Sequence, residues 1–113
     1  MKIVRIYQGE DGKSRFEHVS LESQPQWKSM PAAAKNVTFS TWAPGHTMDF
    51  HPAPRRQYVI TLEGQMEIGL EDGSTELFGP GDVLIAEDTQ GKGHTLRIPG
   101  DKPRTSIAVP LAD

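Results

Sequence analysis

The chain has 113 residues, a formal net charge of -3, a pI near 5.8 and no cysteine. That length predicts one domain with its own hydrophobic core, and the missing thiols exclude disulfides and thiolate metal sites. The mildly acidic balance excludes a nucleic-acid binder working by bulk electrostatics, and apolar runs as short as Val83-Leu84-Ile85-Ala86 exclude a membrane-crossing helix.

Taken in chain order, the segments read as short strands between turns. Met1 to Tyr7 alternates, with Ile3, Val4, Ile6 and Tyr7 leaving Lys2 and Arg5 for the wet side. No basic region followed by a long apolar one is visible there, so no signal peptide is predicted, and with the absent cysteines this points to the cytoplasm. Gly9-Glu10-Asp11-Gly12 is a turn signal, and Phe16 to Leu21 returns as a strand carrying His18 on its surface. Ser23 to Lys35 reads as a loop with one helical turn, pinned by Trp27 and Met30. Val37 to Trp42 is a strand stopped by Pro44-Gly45, and Thr47 to His51 is extended, with Pro52 and Pro54 barring a helix. Tyr58 to Leu62 and Gln65 to Leu70 pair across Glu63-Gly64. Asp72-Gly73 is a hairpin turn into Ser74 to Phe78. Gly79-Pro80-Gly81-Asp82 turns into Val83 to Ala86, and Glu87 to Gly93 is a polar loop with Gly91 and Gly93 as pivots. His94 to Ile98 and Thr105 to Val109 form a last pair. Short strands at this spacing, with 11 Gly and 9 Pro scattered among them, mean a sandwich or barrel.

From Gly45 to Gly64 the chain reads Gly-His-Thr-Met-Asp-Phe-His-Pro-Ala-Pro-Arg-Arg-Gln-Tyr-Val-Ile-Thr-Leu-Glu-Gly. This resembles the first motif of the cupin family: Gly, five residues, His, one residue, His, three or four residues, Glu, six residues, Gly. Gly45, His51 and Gly64 fall on their positions, while Ala53 stands where the second His belongs and Gln57 where the Glu belongs. Gly79-Pro80-Gly81-Asp82-Val83-Leu84-Ile85 resembles the turn and strand opening the second cupin motif, and His94 falls where that motif has its His. The loop before His94 is longer than the family's, and Glu87 stands near the place of its usual Pro.

The resemblance implies an all-β, double-stranded β-helix (jelly-roll) barrel. Residues 1–113 would form a single cupin domain, with the first motif at about 45–64 and the second at about 79–98. It also implies a central pocket for a small molecule, used by dioxygenases, isomerases and lyases on small acids or sugars, and by modules that sense a ligand without turnover. Both catalytic and non-catalytic uses remain open at this point. The residues expected to line the pocket are Asp49, His51, Arg55, Gln57 and His94, with His51 and His94 as candidates for catalysis. His51, Gln57 and His94 are the candidate ligands of one divalent transition metal (Fe, Mn, Ni, Cu or Zn), or the pocket works without one. Gln57 brings no charge and is no general base, so Asp49 would have to turn inward as the charge donor. A third reading is a metal-free enzyme with His51 or His94 as general base.

In an unbroken strand, His51, Ala53, Arg55, Gln57 and Val59 share parity, whereas His46 and Met48 have the opposite one and fall outside the pocket. Of Arg55 and Arg56, one would point inward and favour an anionic ligand; two solvated arginines are the plainer alternative. Phe39, Trp42 and Phe50 are candidate pocket walls or ordinary core. Family habit implies a homodimer, with Ile3 to Tyr7 as a shared or exchanged sheet edge.

Overall fold

Turn residues and period-two alternation set the elements. In the computed structural model, which describes residues 1–27 and 31–112, the strands are β1 (Ile3–Gln8), β2 (Ser14–Val19), β3 (Thr38–Trp42), β4 (Thr47–His51) and β5 (Gln57–Glu63). β6 (Met66–Gly69), β7 (Thr75–Phe78), β8 (Val83–Ala86), β9 (His94–Arg97) and β10 (Arg104–Pro110) follow. Each expected strand is present to within a few residues at its ends, but the expected pairings of β5 with β6 and of β9 with β10 do not form, because each of those turns carries the chain from one sheet to the other. A single 3-10 turn, Pro25–Trp27, supplies the helical turn expected in the irregular segment; Met30 lies outside the described residues.

The strands form two sheets, of order β2-β1-β8-β5-β10-β3 and β4-β9-β6-β7. Every neighbouring pair is antiparallel except β1 and β8, which run parallel with Ile3 opposite Val83 and Ile6 opposite Ala86. Alternation puts Val4 and Ile6 of β1, Met66 and Ile68 of β6, Phe78 of β7 and Leu84 of β8 into one shared core. Each such side chain contributes about 1.5–3 kcal/mol when fully buried. Six strands against four make an all-β jelly-roll barrel.

β1 is not an edge strand, as the N-terminal alternation had suggested. It lies between β2 and β8 of its own chain, so the edges of the larger sheet are β2 and β3. The reason lies in the Gly79–Asp82 turn. Asp82 accepts hydrogen bonds from the Gly79 N–H at 2.9 Å and from the Lys2 N–H at 2.8 Å, tying the start of β1 beside β8. Burial pushes the Asp82 carboxyl up, but those two backbone donors and Lys2 outweigh it and hold the group below its ordinary value.

At the far end of β5, Gly64 adopts φ 74°. A Cβ there would stand 2.4 Å from the Pro103 carbonyl oxygen and 2.9 Å from the Arg104 Cα. Glycine lets the chain approach the start of β10 this closely.

Candidate functional site

The two histidines singled out by spacing meet across the β4–β9 pair, where His51 is the register partner of His94. Their ring centroids are 4.8 Å apart. Gly93 makes this approach possible. It is buried at φ 79°, and a Cβ on it would lie 2.0 Å from the His51 carbonyl oxygen, so no other residue fits without moving the backbone.

Each imidazole is held by its Nδ1. His51 Nδ1 lies 2.8 Å from the Asp49 carbonyl oxygen, to which it donates. His94 Nδ1 lies 2.6 Å from Asp88 Oδ2, and the Ser14 hydroxyl donates to that same oxygen at 2.7 Å. Asp88 is fully buried, and its Oδ1 has no partner among the described residues. Its backbone carbonyl accepts the Ala53 N–H at 2.9 Å. With both Nδ1 atoms engaged, the Nε2 atoms are left for a ligand, since neither has a partner among the described residues. Asp88 and Ser14 were missed by sequence reasoning. Asp88 sits in a segment that reads as a polar loop, and the only hint was its closeness in sequence to His94.

These imidazoles open on a cavity of about 400 Å³ between the sheets, a usual size for a small-molecule site. Trp42, Met48, Val59, Met66, Leu84 and Leu96 give it apolar walls. Gln57 lines it too, half-buried, with its amide making no hydrogen bond among the described residues. A second cavity of about 500 Å³ is a surface cleft walled by Tyr7, Arg15, Glu71 and Asp72 among others; it gathers none of the motif residues.

Of the residues expected at the pocket, His51, Gln57 and His94 line it, whereas Asp49 and Arg55 are exposed and do not. Asp49 accepts the neighbouring Phe50 N–H at 2.8 Å. Strand parity fails here for a visible reason. The β4–β9 register shifts between Met48 and His51, so Met48 faces the pocket along with His51, contrary to expectation. Beyond His51 the chain leaves the sheet until Gln57, and Arg55 sits in that irregular stretch. His46 lies outside, its ring edge-on to Trp42 with centroids 4.1 Å apart and its Nε2 buried without a partner among the described residues. Trp42 is a pocket wall, Phe39 is 69% exposed, and Phe50 lies under the Lys92 ammonium. His18 is exposed and pairs with Glu76.

The polar loop from Glu87 to Gly93, expected to pivot on Gly91 and Gly93, is anchored at both ends. Glu87 is paired with Arg5 and Arg56, Asp88 is buried, and Gly93 is packed against His51. Burial pushes the Glu87 carboxyl up, yet hydrogen bonds from the two arginines outweigh this and hold it below its ordinary value.

One charged residue of the pocket had no signal in the motifs. Arg104, at the start of β10, is 3% exposed and lines the cavity. Its Nε and Nη2 donate to Thr61 Oγ1 at 3.3 and 3.1 Å. Burial lowers its pKa to about 10, leaving it a cation at neutral pH.

These donors do not fit a divalent metal held by the protein alone. His51, His94 and Gln57 offer two imidazole nitrogens and a neutral amide, and among the described residues no group of three or more His, Cys, Asp or Glu is placed to bind an ion. The nearest carboxylate, Asp88, is turned to His94 Nδ1 and Ser14, and the same cavity carries the Arg104 cation. A divalent cation would thus find two imidazole nitrogens and a neutral amide, without the charged oxygen or third nitrogen that such an ion prefers.

No protein-family profile matches the chain, and no curated protein does. Solved structures do. A cupin 2 domain-containing protein from Halorhodospira halophila matches with TM-score 0.57 and 21% identity, over 97% of this chain and 78% of that one. The polyketide cyclase RemF from Streptomyces resistomycificus matches with TM-score 0.58 and 16% identity, over 97% and 75%. A conserved protein of unknown function from Streptococcus pyogenes matches with TM-score 0.52 and 21% identity over 68% of this chain, which spans only 64% of that longer protein. Together with a protein described as having a double-stranded β-helix domain and one described as a Cupin 2 conserved barrel domain protein, these likenesses show that the chain has the cupin fold.

Proposed function

We propose that this cupin-fold chain is a small-molecule-binding protein, whose central pocket presents the Nε2 atoms of His51 and His94 to its ligand and exchanges a proton with it through His94. The observation that carries the reading is the hydrogen-bonded line from Ser14 through buried Asp88 to His94, ending in the cavity. A carboxylate on Nδ1 fixes the tautomer that leaves Nε2 as a base and stabilises the imidazolium that forms when it takes a proton. His51, held by the Asp49 carbonyl with its ring centroid 4.8 Å from that of His94, would orient the ligand, and the free Gln57 amide would supply a further neutral hydrogen bond. The apolar walls would exclude water from the exchange. The lining of Trp42, Met48, Val59, Met66, Leu84 and Leu96 supports a pocket able to hold a largely apolar ligand, and the fold is shared with a polyketide cyclase. The cysteine-free composition supports a cytoplasmic setting.

The test is ligand-observed NMR with a fragment set on the wild type and on a His51→Ala/His94→Ala variant of unchanged fold. Fragments that bind the wild type and are lost in the variant are the expected result. Fragments that bind both alike would sink the assignment of this pocket. Elemental analysis of untagged protein purified without chelators separates this reading from a metalloenzyme. Substoichiometric metal in both proteins is expected. Near-stoichiometric Fe, Mn, Ni, Cu or Zn that vanishes in the variant would replace acid-base chemistry with metal chemistry.

A further inference from the structure

The cavity has two chemically different ends. Gln57, at the start of β5, pairs with Ala86 of β8, two residues before the Asp88 that holds His94; this is the imidazole end. Four residues further along β5, roughly 13 Å at strand rise, Thr61 accepts from Arg104. At that second end, Ser106 is the register partner of both Ser40 and Thr61, so three hydroxyl side chains cross adjacent strands in one row beside the guanidinium. Ser40, Ser106 and Arg104 all line the cavity. Among the described residues, neither serine hydroxyl makes a hydrogen bond and no Asp, Glu or Lys lines the cavity.

A guanidinium has five N–H donors, and Arg104 directs Nε and Nη2 at one neutral oxygen. A buried cation without a counter-charge is costly. Its planar fork matches a carboxylate, and the two free hydroxyls beside it could donate to the same group. One positive charge between apolar walls matches one negative charge. A phosphate dianion would leave a surplus charge in contact with Trp42, Met66 and Leu96.

Resting on the small-molecule reading above, we propose that the ligand is an organic monocarboxylate with an apolar body, its carboxylate seated on Arg104, Ser40 and Ser106 and its other end at His51 and His94. The pocket thus holds its ligand lengthwise, and the acid-base end acts on a carbon or heteroatom remote from the carboxylate.

Calorimetric titration tests this with octanoate and phenylacetate, their primary amides octanamide and phenylacetamide, and phenyl phosphate. The acids are expected to bind the wild type about 30-fold more tightly than the amides, the range of a charge-assisted hydrogen bond. Arg104→Met should erase that preference, Arg104→Lys should restore part of it, and Ser106→Ala should weaken the acids several-fold and the amides less. Should a variant fail to fold, the wild-type ratio of acid to amide still decides the matter. Equal binding of acids and amides would overturn the carboxylate assignment while leaving the small-molecule pocket standing. Phenyl phosphate binding more tightly than phenylacetate would overturn the choice of monocarboxylate. Binding of neither acids nor amides would overturn the inference together with the pocket reading.

Discussion

Gly93 and Arg104 are the residues on which the site depends, and they act in opposite directions on stability. Gly93 has a positive φ and backbone atoms of His51 and Pro52 within 2.5 Å of where a Cβ would be. Gly93→Ala is therefore expected to cost about 3 kcal/mol or more, the sum of left-handed strain and a backbone clash, read as a lower urea midpoint. A loss below about 1 kcal/mol would mean that the β4–β9 approach is soft. Arg104 is the reverse case. Its charge is buried beside a single hydroxyl partner, so Arg104→Met, which keeps the length and removes the charge, is expected to raise the stability of the ligand-free protein by about 1 kcal/mol or more. Marked destabilisation would mean that the guanidinium already has its counter-charge. A residue that weakens the empty fold and lines its cavity is most simply explained by the ligand it receives.

At the level of elements, the segment between β8 and β9 connects the two sheets through its side chains. Glu87 clamps Arg5 and Arg56, while Asp88 bonds Ser14 of β2 and His94 of β9. The folded Glu87 carboxyl lies below its ordinary value of 4.5, so its stabilisation is fully present above that pH and is lost as pH falls through the folded value. Glu87→Gln should cost about 1–2 kcal/mol at neutral pH, and the gap between variant and wild type should narrow as pH falls below the carboxyl's ordinary value and close once it passes the lower folded one. Urea midpoints of both proteins from neutral to acidic pH measure this, and a gap independent of pH would assign the clamp to shape rather than charge. The same segment shows what the sequence could reveal. The strands were legible because Gly, Pro and Asp turns bound them, and His51 and His94 because a motif spacing names them. Asp88 was not legible, since its role depends on Ser14, 74 positions away in the chain. Nor was Arg104, whose partner Thr61 is 43 positions away. Arg55 was preferred in its place because strand parity was extended through Pro52 and Pro54, where the chain leaves the sheet.

At the scale of the whole molecule, the outer face of the larger sheet carries an apolar stripe. Its registers align Val19, Ile3, Val83, Ile60, Ile107 and Phe39 into one apolar row across all six strands, about 24 Å at usual strand spacing. Leu21 and Trp27 lie over the β2 end of that row, sharing a small cleft with Ile3, Val19 and Val83. The β3 end has no such cover among the described residues, and Phe39 is 69% and Val37 56% exposed there. An apolar row ending at a sheet edge favours a twofold contact with a second copy, because the same patch then covers itself and the edge is removed from water. A homodimer of the kind expected from family habit would then use the β3 and β10 face rather than β1. Sedimentation equilibrium should show a dimer for the wild type and a monomer for Phe39→Glu, with unchanged circular dichroism because Phe39 is already exposed in the single chain. A monomeric wild type would remove the dimer, and a dimer that survives Phe39→Glu would move the contact to another face.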